Sequence, residues 1–296
     1  MAPQLATFYT SFLFLLLFFS QFLEAIDLSS RRPAQGQLQV RLDYALAIQP
    51  LQGQSEETRK ESQRRYLWSS YIVFNEPVSS ITKGQLRMIA EEGYKEMEED
   101  FQQYKPRNKV RGSNKPVYLP GVMTIVAFDN KIILSSSQKG LDGFLDDWPE
   151  SPVKLALDRC SSVWRERVAN DPSRDADPDA THKNKAKCGE VNSFHQYYMT
   201  HSTPISELRP KARVTTVAKA FRGPGYPILA PCGTARNGED EKTFWGCNLL
   251  VRDQDVDYIG KTQDAEEFEL DKIAGGVQRI GQIQMCTRNH IIWDGE

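Results

Sequence analysis

Apolar residues recur along this chain with two different periods, and the change from one to the other lays out its elements. Leu86, Ala90, Tyr94, Met97, Phe101 and Tyr104 return every three or four residues with Glu and Lys between them. That is the pattern of a helix with one face turned to a core. Ser79, Ser80 and Thr82 stand before it as candidate caps. A second helix is predicted over residues 153–168, with Val153, Leu157, Cys160, Trp164 and Val168 on one side. A third begins at Gly189 and turns Val191, Phe194, His195 and Tyr198 inward. Between the first two helices, 122–128 and 131–135 are β-rich runs around Asp129-Asn130, which reads as a hairpin. Residues 170–187 form a polar connection. Residues 213–221 alternate as a strand that Arg222-Gly223-Pro224-Gly225 breaks, and Ile228-Leu229-Ala230 leads into Pro231-Cys232. A short strand is predicted over 256–259. Helices interleaved with strands in this way point to an α/β fold around one sheet.

The two ends of the chain differ in character. Residues 5–23 are apolar with only small or neutral polar interruptions, Phe12 to Phe19 form their centre, and no charge precedes Glu24. Closed by Leu23-Glu24-Ala25, this is the h-region and cleavage site of a signal peptide, although no Lys or Arg precedes it. An uncleaved anchor is the alternative, since the stretch approaches the length that spans a bilayer of about 30 Å. The expectation is a signal peptide at 1–25, a mature chain from Ile26, and a secreted, extracellular protein with no stable membrane association after cleavage. Residues 26–75 read as a polar arm or linker with a short apolar segment, and 76–296 as the main domain. The basic run Lys105, Arg107, Lys109, Arg111 and Lys115 reads as a solvated face, or as a guide for a phosphate-bearing substrate.

Composition narrows the class without naming a function. With 40% hydrophobic and 26% charged residues the chain is ordinary globular material, and a net charge of −2 gives no global field for nucleic acid. No Asn-x-Ser/Thr acceptor occurs, and neither Gly-x-Ser-x-Gly nor His-Glu-x-x-His marks another kind of hydrolase. The 5 cysteines are an odd number for an oxidising compartment. If three held a metal, two would remain for one bridge, and Cys160 with Cys286 is the best pair.

Three pieces then stand out by their order. Cys188-Gly189-Glu190 opens the third helix, Pro231-Cys232 follows the next strand, and Cys247 begins a further helical turn. A catalytic zinc needs three protein ligands and one open position for water. Thiolates at helix starts suit it, because unpaired backbone N–H groups and the helix dipole stabilise charged sulfur. A carboxylate two residues from the first ligand sits beside the metal without binding it and can move protons. Metal plus general acid/base is the machinery for hydrolysing an exocyclic amine. Two other arrangements remain open: a Cys232–Cys247 disulfide closing a surface loop, and His182 as a ligand in place of Cys247.

With those residues in view, the chain resembles the nucleic acid/nucleotide deaminase superfamily, and within it the YwqJ-like deaminases of bacterial toxins and fungi. Cys188-Gly189-Glu190-Val191 is similar to that family's Cys-Ala-Glu-Val helix start, and the hairpin before it and the strand ending in Ala230-Pro231-Cys232 keep the superfamily's order. The resemblance spans about residues 85–260. It implies a cytidine-deaminase-like three-layer sandwich, one mixed sheet flanked by helices, with Zn2+ on Cys188, Cys232 and Cys247 and Glu190 as the proton shuttle. It implies a nucleobase-containing substrate, free, as a nucleoside or in nucleic acid, and a toxin or effector role; no protein partner is inferable. Two departures stand: Gly189 replaces alanine, and residues 233–246 separate two cysteines that the family keeps in Pro-Cys-x-x-Cys. The contrasting expectation is a secreted, non-catalytic effector or binding protein of the same fold with paired cysteines.

Overall fold

β-Branched and aromatic runs supply a sheet that is buried on both faces, which explains why its central strands carry almost no polar alternation. The structure is a computed structural model that describes residues 26–49, 64–106, 118–141, 143–171, 173–286 and 291–294. Its elements begin with β1 (Arg41–Leu42), α1 (Tyr44–Ile48), β2 (Arg65–Tyr66) and β3 (Trp68–Phe74). They continue with α2 (Lys83–Gln103), the hairpin β4 (Met123–Phe128) and β5 (Lys131–Ser136), and β6 (Lys139–Gly140). Next come α3 (Pro152–Asn170), α4 (Gly189–Thr200), β7 (Arg213–Val217), α5 (Cys247–Asp253) and β8 (Asp257–Tyr258). The strands β9 (Val277–Ile283) and β10 (Ile291–Trp293) follow.

The main sheet runs β10-β9-β3-β5-β4-β7-β8, with β1 added beside β3. All its pairs are antiparallel except β7–β8, so the sheet is mixed. Side chains alternate between its faces. Trp68, Ile72 and Phe74 of β3 join Ile125 and Leu134 beneath α2, while Tyr71, Val73, Val126 and Ile133 pack under α3, α4 and α5. The result is an α/β sandwich of three layers, as expected. Caps set the helix starts: Thr82 and Gln85 close a capping box on α2, and Ser151 accepts from the Val153 N–H ahead of Pro152 in α3.

The polar arm expected at 26–75 is instead part of the domain over its described residues. Ile26, Leu38, Val40 and Leu42 are buried in the core under α2. Carboxylates do the attaching: Glu96 accepts the Leu38 N–H at 2.8 Å and the Val40 N–H at 3.1 Å, and Asp100 accepts the Leu42 N–H at 3.0 Å. Asp43 accepts from Met285 at 2.7 Å and so ties the segment to the chain's far end. The apolar run at 66–74 contributes an interior strand of the sheet, flanked by β5 and β9. The strand expected over 213–221 stops at Val217, where the chain turns into an extension closed by Ala218 and Pro227. β9 and β10 were not expected. The signal segment 1–25, residues 107–117 of the basic run and residues 50–63 of the arm lie outside the described residues. Among the described residues no helix is long and apolar enough to cross a membrane.

Candidate metal centre

α4 and α5 both start at one end of the sheet, and their first residues meet there. Cys188 is the residue capping α4, yet its thiol makes no bond to the helix's own N–H groups and is free to face outward from the helix. Cys247 is the first residue of α5, and its N–H donates to Cys232 Sγ at 3.2 Å. Cys188 and Cys232 place their sulfurs 3.5 Å apart. With His182, these three cysteines put one ligand atom each within 4.8 Å of every other. A tetrahedral zinc with bonds of about 2.3 Å to sulfur holds its sulfurs about 3.8 Å apart, so the cluster fits that ion in size and in donor softness.

The long separation between Cys232 and Cys247 is folded out of the way. Residues 233–241 turn back on themselves through Ala235 N–H to Glu239 O at 2.7 Å and Glu241 N–H to Gly233 O at 2.8 Å. Asp240 anchors that turn to Arg167, to Arg252 at 2.9 Å and to Asn248 at 2.8 Å. Gly246 then passes so close to Cys232 that a Cβ on it would lie 2.6 Å from the sulfur. Only a residue without a side chain lets the two cysteines share one site.

An alanine is excluded at Gly189 for a similar reason. A Cβ there would meet Thr124 Oγ1 at 2.2 Å, Thr124 Cβ at 2.8 Å and the Ser135 carbonyl oxygen at 3.0 Å. α4 therefore starts in contact with the β4–β5 hairpin. That contact sets Glu190, which is buried and whose Oε1 accepts from Thr216 Oγ1 at 3.1 Å; Thr216 is in turn paired with Thr124 at 2.7 Å. Burial pushes the Glu190 carboxyl up to about 7, with the negative charge on Cys232 adding to the effect. Glu190, Cys188, Cys232 and Thr216 line one cavity of about 470 Å³.

Among the thiols, charge concentrates on one sulfur. Cys232 is pulled well below the ordinary thiol range because Cys188 hydrogen-bonds to it, with Cys247 and His182 assisting. That same bond holds Cys188 high, and burial holds Cys247 high. Asn184 Nδ2 donates to Cys188 Sγ at 3.3 Å.

The sequence leaves His182 open as a ligand in place of Cys247, and the structure has both at the site. Its Nδ1 accepts two backbone N–H groups, from Asn184 at 3.1 Å and Ala186 at 3.3 Å. Nδ1 must keep a lone pair to do so, which puts the proton of a neutral ring on Nε2. Nε2 lies 3.4 Å from Cys247 Sγ and 3.7 Å from Cys232 Sγ, the separation of an N–H···S bond. The Trp245 ring stands edge-on to His182, and Trp245 Nε1 donates to Ala180 O at 2.6 Å, which ties the 180–182 segment to the residues before Cys247. Periodicity offered no hint of this, because His182 sits in an irregular polar stretch.

The bridge expected between Cys160 and Cys286 is not formed; both are free thiols, as are the three cysteines of the site. Cys160 is buried on α3 among apolar neighbours, where a small thiol packs well without a partner. His195, at the core side of α4, is likewise a structural residue: its Nδ1 meets Ser151 Oγ at 2.9 Å and its ring lies against Phe144. No protein-family model, curated protein or solved structure matches this chain.

Proposed function

We propose that the protein is a secreted zinc-dependent deaminase that removes the exocyclic amine of a nucleobase by hydrolysis. The observation that carries this reading is the clustering of Cys188, Cys232 and Cys247 at the starts of two neighbouring helices, with Cys188 and Cys232 lining the same cavity as Glu190. Zinc on the three thiolates would supply a Lewis acid with one open position, where water becomes reactive near neutral pH. Glu190 takes one proton from the attacking water and gives it to a ring nitrogen; it then takes the second from the hydroxyl now on the ring carbon and gives it to the amine, which leaves as ammonia when the C–N bond breaks. Glu190 is buried and lines the cavity, where a carboxyl can both take and give a proton. Thr216 holds Oε1, and Thr124 holds Thr216, so the acid enters each cycle already oriented. His182 donates to the thiolates and draws charge from them, which leaves a bound metal more electrophilic. The signal-like segment 1–25 and the likeness of Cys188-Gly189-Glu190 to the YwqJ-like helix start favour a toxin or effector role.

One observation favours a second reading. His182 Nε2 lies among the sulfurs, and a four-ligand site would be closed and structural, as in a secreted binding protein. That reading requires the His182 proton to move to Nδ1, against two N–H groups that point at it. The test is ammonia release by zinc-loaded protein from a panel of nucleobases, nucleosides, nucleotides and oligonucleotides. Wild type releases ammonia; Glu190→Ala keeps its zinc and loses at least about 100-fold in rate. Silence from wild type across the panel favours the structural site, and full activity in Glu190→Ala removes Glu190 from the mechanism.

A further inference from the structure

The cavity that holds Glu190 carries a charge pattern that the chain's overall balance conceals. Four lysines line it, Lys139, Lys183, Lys185 and Lys187, and Glu190 is the one carboxylate among its lining residues. The lysines come from two elements on the same rim. Lys139 lies in β6, and the other three occupy the irregular segment that carries His182 into Cys188. Lys187 Nζ donates to Gly140 O at 3.0 Å, which fixes one cation beside the mouth, and Lys183 stands over the Phe244 ring at 5.6 Å. Lys183 pairs at long range with Glu241, at 3.9 Å. In a protein of net charge −2, this is a local positive field at the place where substrate must enter.

A second cavity of about 680 Å³ continues from the first across Ala230, which lines both. Arg236, Arg252 and Lys261 line it against one carboxylate, Asp255; Arg252 is paired with Asp240 and Asp255 with Lys211. One nucleobase does not need both spaces, since each alone has the size of a small-ligand pocket. The chain between Thr216 and Leu229, both lining the first cavity, forms the extension closed at Ala218 and Pro227. Its tip carries Phe221, which is 90% exposed, followed by Arg222. A large aromatic ring kept in water next to a cation is the surface on which an unpaired base stacks.

From the lysine rim, the adjoining basic cavity and the exposed Phe221 together, we infer that the substrate base is presented within a single nucleic-acid strand. Its phosphates run along Lys183, Lys185 and Lys187 toward Arg236 and Lys261, and a neighbouring base stacks on Phe221. This rests on the deaminase reading for what happens to the base, but binding can be measured without catalysis. The experiment uses the zinc-loaded full mature chain carrying Glu190→Ala and a labelled single-stranded oligonucleotide of mixed sequence. Mononucleotides, nucleosides and the matching duplex serve as competitors.

Neutralising about four phosphates on a single strand gives a salt slope near −2.8, hence a loss of about 50-fold in affinity between 50 and 200 mM salt. Lys183→Gln with Lys185→Gln should reduce that slope by about 1.4. Phe221→Ala should weaken binding about tenfold with the slope unchanged. Competition by a mononucleotide or a duplex as strong as that of the single strand, or binding indifferent to salt, overturns the inference. Ammonia release by wild type from nucleosides with no preference for a strand overturns it too and leaves the deaminase reading intact. Tight, salt-dependent strand binding by a wild type that releases no ammonia from any nucleobase, nucleoside, nucleotide or oligonucleotide supports the strand-binding surface and removes the deaminase reading.

Discussion

Replacing Gly189 by alanine should damage the site, although helix propensity predicts the opposite. Alanine in a helix is favoured over glycine by up to about 1 kcal/mol, so on local grounds the substitution stabilises. The structure reverses the sign. The new methyl would fall 2.2 Å from Thr124 Oγ1 and 3.0 Å from the Ser135 carbonyl. Carbon atoms pack best at about 3.5–4.0 Å, so the start of α4 must retreat from the hairpin by about 1 Å. Overpacking of this kind costs about 1–3 kcal/mol. The same movement carries Cys188 and Glu190 with it and pulls Glu190 from Thr216. A misplacement of about 1 Å in a catalytic group costs on the order of 100-fold in rate, and a disturbed ligand about 10–100-fold in metal affinity. Urea unfolding at fixed excess zinc, a chelator titration and ammonia release measure the three effects. A variant as stable as wild type within about 0.5 kcal/mol, with unchanged zinc affinity, would refute the argument that contact with Thr124 sets the site.

Three further outcomes follow from the same geometry. Asp240→Ala unties Arg167, Arg252 and Asn248 at once; zinc affinity should drop about tenfold while α4 stays folded, as read by chelator competition and circular dichroism. His182→Ala should weaken zinc about 10–100-fold without abolishing it, because the three sulfurs remain; loss of all metal would make His182 a ligand. Glu96 carries a folded-state pKa raised to about 7 by burial. Its stabilising share is therefore full below its ordinary value near 4.5 and is lost as pH rises through 7, by up to about 3 kcal/mol at pH 8. Thermal melts of wild type and Glu96→Gln should diverge with pH over 5–8, wild type losing more on the alkaline side; a constant difference contradicts this.

Strong local periods made much of the architecture legible. The six-residue apolar stripe from Leu86 to Tyr104 and the hairpin around Asp129-Asn130 became α2 and β4–β5 because each encodes its own neighbours. Residues 26–48 did not show themselves. Leu38, Val40 and Leu42 alternate over too short a run to mark a strand, and the segment is held by backbone bonds to Glu96 and Asp100, which are far away in sequence. β9, with Gln and Arg at exposed positions and Gly281 inside, presents little β signal; it is a strand because β3 lies beside it. At the site, cysteine order and Glu190 were readable, since the chemistry depends on residue type and on helix starts. The convergence of residues 232 and 247 depends on Gly246 and on a side-chain anchor at Asp240, and His182 arrives by an irregular path that no spacing rule describes. The Cys160–Cys286 bridge was inferred by counting alone, and counting says nothing of distance.

The most direct test of the account is the metal shell of the purified protein, read by metal analysis and X-ray absorption on wild type and His182→Ala. The account predicts about one zinc per chain bound by three sulfurs and one oxygen, with the same shell in the variant. Three sulfurs and one nitrogen in wild type, with the nitrogen lost in His182→Ala, would show a closed site with no place for water and would contradict it.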